Sequence, residues 1–363
     1  MGLYGCVGFL PSEFWLHSSS SSLWINGLHN TSIAEERLNH AKYSGEYPQL
    51  SIDYCLNNAN LKKENVNIVC YAENIHSLYR KDSIKKVLQR EFPNAEIEFC
   101  GHHEAHVYSS VFTSGFDECC FFSADGAGNS VSTRYQNLLG YETAMYGFAK
   151  DRQITVLHHA INGINIRNEF NICQVYNNIS RYIYSVIEPE RFAKQTNIYL
   201  QMETCPGKIM GLSAYGNYKK VDLDDLFEVS DDSYFPTIYD RSIPTDSQLD
   251  QYAPEDISAW LQKQYENSLY KFFSILKNRG LTKGRLCGSG GGFLNVLANS
   301  RLYDLFDEIY VPPFCADVGL AIGAALFACN KHEENFETLD TAYLGKLYSD
   351  EEVEKELKKC LDK

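Results

Sequence analysis

Short runs of alternating apolar and polar positions open the chain at residues 3–9, 22–25 and 31–34, with Asn26-Gly27 as a two-residue turn between the second and third. The pattern predicts a three-stranded meander. It is followed by a helical period over 49–58, a strand at 66–71, a helix at 82–90 and a strand at 97–99. A comparable series starts again with the apolar run 119–123 and continues through strands at 131–135 and 142–148. It then gives a helix over 257–276 and a strand at 285–287. Two βββαβα-like halves facing one another would form a cleft, with glycine-rich strand-to-helix turns at its floor able to hold a nucleotide.

Composition narrows the picture. A chain of 363 residues with 44% hydrophobic content can bury a large core, and its length suggests two lobes. The longest apolar stretch, 318–329, is too short to span a bilayer, and residues 1–10 lack a basic region ahead of a long apolar run. A cytoplasmic protein is expected. The 12 cysteines are scattered without CxxC spacing and read as buried thiols. Cys119 and Cys120 are neighbours on a strand, where side chains point to opposite faces and do not readily share one metal. A net charge of −14 disfavours a polyanionic partner. Residues 349–363 carry a capping-box start and opposite charges at helical spacing, the mark of a solvated helix.

Gly101-His102-His103-Glu104-Ala105-His106 carries the sharpest chemical signal. On a helix, His102 and His106 lie one turn apart on one face, a spacing that suits two imidazoles on one transition metal, whereas His103 points elsewhere. Asp125 follows an apolar strand and precedes Gly126-Ala127-Gly128-Asn129. It reads as a hairpin turn, a phosphate cradle or a metal carboxylate. Gly290-Gly291-Gly292 ends the 285–287 strand region and leads towards Asn295 and Asn299, implying close backbone approach to a ligand or another segment. Asp317 lies between a strand at 309–311 and a small-residue helix at 320–328, as a helix cap or a cleft carboxylate. Lys208 sits in a glycine-punctuated stretch, 207–216, with a phosphate-neutralising or turn-forming role.

Together these segments resemble the NodU/CmcH-type carbamoyltransferases, whose pattern runs HDxSAAL, EERFxRxKH, HHxAHAxSAF, DGxGE, GKxMGLAxYG, GGVALNxxAN and PPxxxDxGxAxGAA. Here the matching stretches are 17–23, 35–42, 102–110, 125–129, 207–216, 291–299 and 312–325, in the same order. The resemblance implies an α/β fold of the actin/Hsp70/sugar-kinase (ASKHA) class, two RNase H-like lobes around a central nucleotide cleft. Residues 1–118 would form the first lobe and 119–330 the second, with 331–363 a helical segment packing back on them. It implies a divalent metal, ferrous iron in this family, on His102, His106, Asp125 and Asp317. It places ATP or a carbamoyl-adenylate at Gly126, Gly128, Asn129, Gly290, Gly291, Gly292 and Asn295, with Lys42 and Lys208 facing the charged groups. Carbamoyl phosphate is the implied donor and a hydroxyl of a small molecule the acceptor, a modified nucleoside not excluded. His17 would take the acceptor's proton, and Glu13 would be a second acceptor-side group.

Some positions depart from the pattern. The aspartate after the first family histidine is Ser18, the glutamate closing DGxGE is Asn129, and an SLGxxY segment reads as 171–176. The EFGPRALGxRS-like signature of the family's second, YrdC-like domain is absent, so the expectation is that a separate YrdC-like subunit supplies the adenylate or that the sequence is a fragment of a longer protein. Related alternatives are a transferase that adds threonylcarbamoyl to tRNA, against which the acidic charge argues, a sugar-kinase-like phosphotransferase, and an idle nucleotide-binding subunit.

Overall fold

The structure, a computed structural model, describes residues 1–5, 17–74, 77–132, 139–163, 167–195, 198–231 and 234–361. Glu13 and most of the 3–9 run therefore lie outside the described residues. The first sheet is built from β1 (Gly2–Tyr4), β2 (Ser20–Ile25), β3 (Leu28–Ala34), β4 (Ile68–Ala72) and β5 (Glu96–Cys100) in the order β3-β2-β1-β4-β5. The first three pair antiparallel, and β4 and β5 add parallel to β1. Between β3 and β5 the chain forms α1 (Gln49–Asn58) and α2 (Ser77–Glu91), close to the expected helices.

After α3 (His102–Val111) the same order returns. β6 (Glu118–Ala124) pairs antiparallel with β8 (Leu139–Lys150), which pairs antiparallel with β9 (Gln153–Gly163). β7 (Ser130–Ser132) continues the β6 side of β8 beyond a turn. On its other side β6 takes β12 (Arg285–Ser289) in parallel, and β12 takes β13 (Glu308–Tyr310). The duplicated strand order is that of two RNase H-like lobes, so the ASKHA-type α/β fold expected from the sequence is the one observed. β6 is buried on both faces, as a central strand covered by helices must be, and this accounts for its unbroken apolar run. Cys119 and Cys120 fall in different core clusters, on opposite faces of that strand.

Several elements were not predicted. β9 escaped because paired polar residues, His158 and His159, interrupt its period, and the β8–β9 turn uses Asp151 and Arg152 at φ of 48° and 64° rather than a glycine. α4 (Ile172–Ile187) has a clear apolar stripe, with Ile172, Val175, Tyr176, Ile179 and Ile183 buried. α5 (Ile198–Leu212) takes up the first part of the 207–216 stretch as helix rather than turn. A further hairpin of β10 (Phe227–Ser230) and β11 (Thr237–Asp240) precedes the long α6 (Pro254–Asn278).

α3 and α7 (Leu320–Lys331) lie against each other between the two sheets, α7 packing on β1 and β4 and α3 on β6 and β12. The approach is close because α7 is built of small residues: a Cβ on Gly323 would fall 1.8 Å from the Ala105 carbonyl oxygen, and one on Gly2 1.8 Å from that of Ala321. Beyond α7, the Leu344 carbonyl accepts the Ser32 amide at 2.7 Å, and the Lys346 amide donates to the Tyr54 hydroxyl at 3.2 Å. α8 (Asp350–Leu361) begins with the expected capping box between Ser349 and Glu352, and all its residues with described side chains are exposed. Among the described residues no helix is long and apolar enough to cross a membrane. Replacing Gly323 with Val should force α7 off α3. We expect a loss of about 3 kcal/mol or more in chemical denaturation, at the upper end for overpacking, because backbone on the facing helix cannot yield as a side chain does.

Candidate metal centre and adjoining cavity

Glycine, then a run of helix-compatible residues, sets the start of α3 just after β5, and this places His102 in the first turn and His106 one turn later. Two amides at the start of the helix find side-chain acceptors. Asn129 accepts from the His102 amide at 2.9 Å, and Glu104 reaches back to the Gly101 amide at 3.1 Å. Asn129 thus seats the histidine helix and does not line the cavity beside it. Gly128 also serves the histidines: a side chain there would meet the His103 ring at 2.8 Å. His103 itself is turned to Ser123, Nδ1 to Oγ 2.8 Å, away from the other two, as the helical spacing requires.

His102, His106, Asp125 and Asp317 converge, their nearest ligand atoms all within 4.8 Å of one another. His106 Nε2 lies 3.2 Å from Asp125 Oδ2 and 3.4 Å from Asp317 Oδ1, and His102 Nε2 is 3.6 Å from the same Asp317 oxygen. Asp317 makes no cap for α7: its other oxygen accepts from the Tyr4 hydroxyl at 2.8 Å and lies 3.8 Å from His17 Nε2. Asp125 is no hairpin residue either, since its carboxylate accepts the amides of Gly126 at 2.6 Å and Gly291 at 2.8 Å. The backbone cradle is real, with the carboxylate at its centre. Gly290, at φ 85°, brings the glycine run against the end of β6, where a Cβ would fall 2.2 Å from the Ala124 oxygen.

Electrostatics follow from burial. Desolvation pushes the pKa of His102 down, only partly opposed by Asp317, and pushes that of His103 well down, with His102 and His106 adding to the effect. For His106 burial again lowers the pKa, but pairing with Asp125 and Asp317 outweighs it and raises it to about 9. Both carboxylates are held below the usual range, burial being overcome at Asp317 by His102, His106 and His17, and at Asp125 by the two helix histidines. The residues fit a divalent first-row ion. Both ring nitrogens of His102 and of His106 are buried without a hydrogen-bond partner, and the set mixes two imidazoles with two ionised carboxylates. Several such ions share that preference, and nothing in the donor set selects iron.

A cavity of about 160 Å³ adjoins the cluster through Asp125. Of the residues that the resemblance assigned to the nucleotide, Gly126, Gly291, Gly292 and Asn295 line it, joined by Cys173, Tyr176 and Asn177 from α4, Gly207 and Met210 from α5, and Tyr265 from α6. Asn295 exchanges hydrogen bonds with Gln262 at 2.9 and 3.0 Å, and Tyr265 donates to the Gly292 carbonyl at 3.0 Å. Lys42 and Lys208 do not line it. The Lys208 ammonium is held by the Tyr184 hydroxyl at 2.7 Å, and that of exposed Lys42 lies 4.8 Å over the Tyr43 ring. Tyr4, Asn177 and Tyr265 escaped sequence reasoning, because single positions on core elements carry no mark of what they face, whereas Cys173 and Tyr176 fall in the 171–176 segment noted as a departure from the family pattern.

The ion pair has a measurable consequence. Without metal, His106 is an imidazolium at neutral pH, and its stabilising contribution, full below about pH 6.5, is lost as pH rises through about 9. Thermal melts of the metal-free chain and of His106→Gln should converge over that interval. Metal uptake at pH 7 must displace the proton, so calorimetric heats of binding should depend on the buffer's ionisation enthalpy, with about one proton released per ion.

Against known proteins, residues 72–326 match the family described as Carbamoyltransferase N-terminus. The chain is 25% identical to nodulation protein NolNO of Sinorhizobium fredii over 390 residues, covering 96% of this chain and 52% of that protein. It is 23% identical to the uncharacterized protein sll1178 of Synechocystis, covering 95% of this chain and 61% of that one. It thus spans about half to three-fifths of the length of these relatives. Among solved structures, T. kodakarensis HypF is similar over 88% of this chain and 48% of its own, with TM-score 0.47 and 13% identity. With the family's match running from the end of β4 through most of α7, and so across all four converging ligands, the chain belongs to the carbamoyltransferase N-terminus family.

Proposed function

We propose that this chain transfers a carbamoyl group from a carbamoyl-adenylate to a hydroxyl of a small acceptor. The observation that carries the reading is the shared residue between the two halves of the site: Asp125 is both a member of the four-ligand cluster and part of the cavity wall. A bound adenylate would therefore meet the cluster at its reacting end. His102, His106, Asp125 and Asp317 would hold a divalent ion, which when bound supplies Lewis-acid stabilisation of oxygen charge beside the cavity. Tyr176, Asn177, Met210 and Tyr265 would enclose the nucleoside, and the glycine backbones would allow its phosphate to approach closely.

His17 would act as general base. Its Nδ1 is 3.0 Å from Ser18 Oγ and its Nε2 faces Asp317, an arrangement that orients the ring at the edge of the cluster. In the transfer, the acceptor oxygen forms a bond to the carbamoyl carbon, its proton passes to His17, and the bond from that carbon to the adenylate phosphate oxygen breaks. AMP leaves with the electron pair. Formation of the adenylate from carbamoyl phosphate and ATP is assigned to a YrdC-like partner. The acidic chain, at −14, supports a small acceptor over tRNA.

The combined His102→Ala and His106→Ala variant should lose stoichiometric metal and all transfer, measured by metal analysis and by carbamoylated product with the YrdC-like partner, carbamoyl phosphate and ATP supplied. Full transfer by that variant would remove the proposal. His17→Ala should keep its metal and lose transfer by about 10²–10⁴-fold, the range of a general base.

A further inference from the structure

We propose that Tyr4 is the positioning residue of the centre, dividing the two oxygens of Asp317 between the protein and an ion; the inference rests on reading the four-residue cluster as a metal site. Tyr4 ends β1 in the first sheet, whereas Asp317 enters from the turn before α7, 313 positions later. The phenol donates to Asp317 Oδ2 at 2.8 Å, and both side chains are buried. The other oxygen, Oδ1, is the one that faces His106 at 3.4 Å and His102 at 3.6 Å. The same tyrosine ring meets the His102 imidazole edge-on, centroids 6.2 Å apart. One side chain thus touches two of the four ligands from outside the cluster.

The consequence is orientational. A carboxylate with both oxygens free can turn about its terminal torsion and offer either or both to a cation. With Oδ2 bonded to the phenol at 2.8 Å, Oδ1 is the oxygen turned to the helix histidines, while His17 Nε2 lies 3.8 Å from Oδ2. Outer partners of this kind, donating to a ligand's second atom, commonly change metal affinity by about 10–100-fold when removed. A buried tyrosine hydroxyl also needs a partner, and Asp317 is the acceptor available to it. Its bond therefore preserves the arrangement whether or not an ion is present.

Tyr4→Phe keeps the ring contact and removes the hydroxyl alone. The test is equilibrium dialysis against Mn²⁺ and Co²⁺ with metal analysis, together with the d–d spectrum of the Co²⁺ form and the Tm of the metal-free protein. Tyr71→Phe is the control: it removes another buried hydroxyl of the same sheet, one that donates to the Gly5 carbonyl at 2.8 Å. The expected result is an affinity about 10–100-fold weaker in Tyr4→Phe with a shifted Co²⁺ spectrum, and wild-type affinity in Tyr71→Phe. Affinity within about twofold of wild type in Tyr4→Phe, or equal weakening in both variants, overturns the proposal. Loss of binding on replacing His102 and His106, with no dependence on the Tyr4 hydroxyl, would leave the metal site standing and remove only this inference.

Discussion

The close approach of two helices between the sheets is the constraint on which the rest of the molecule depends. α3 brings both ring ligands, and the turn feeding α7 brings Asp317, so the spacing between these helices sets the spacing of the ligands. That spacing is set in turn by Gly323, whose missing side chain lets one backbone rest on the carbonyl of Ala105. Small residues in α7 are thus a geometric requirement of the centre as much as a packing choice.

Placing four ionisable groups in a dry interior is unfavourable unless each is compensated. Here the compensation is mutual, and it is also layered. The carboxylates hold a proton on His106, backbone amides of Gly126 and Gly291 hold Asp125, and the Tyr4 hydroxyl holds Asp317. The imidazoles are the exception, with buried nitrogens left without hydrogen-bond partners. A centre whose carboxylates are held by protein donors while its imidazoles meet only those carboxylates is arranged to exchange a proton for a cation.

The cavity shows a second consequence of the architecture. Its floor is made by strand-end glycines of the second lobe, but its walls come from α4, α5 and α6, which lie in the long stretch between β9 and β12. Substrate selectivity on this fold can therefore change through those helices while the cluster stays as it is. The departures from the family pattern at Asn129 and at 171–176 fall on either side of that division: one supports the histidine helix, the other opens α4 beside the cavity wall.

Much of this was legible from the chain alone. The repeated strand and helix pattern pointed to the two halves and the one-turn spacing of His102 and His106 to a shared face, because these features depend on local periodicity. Asp125 and Asp317 were singled out as further ligands only by the family resemblance, since by themselves they read as well as a turn and a helix cap. Local pattern could not show that Asn129 would cap α3, that Gly128 would make room for His103, or that Lys208 would turn to Tyr184 instead of the cavity. Nor could it reveal Tyr4, whose partner lies 313 positions away. Sequence determined which groups could bind and which elements would carry them. Only the tertiary structure decided which atoms face one another, because that depends on how far apart two packed backbones come to rest.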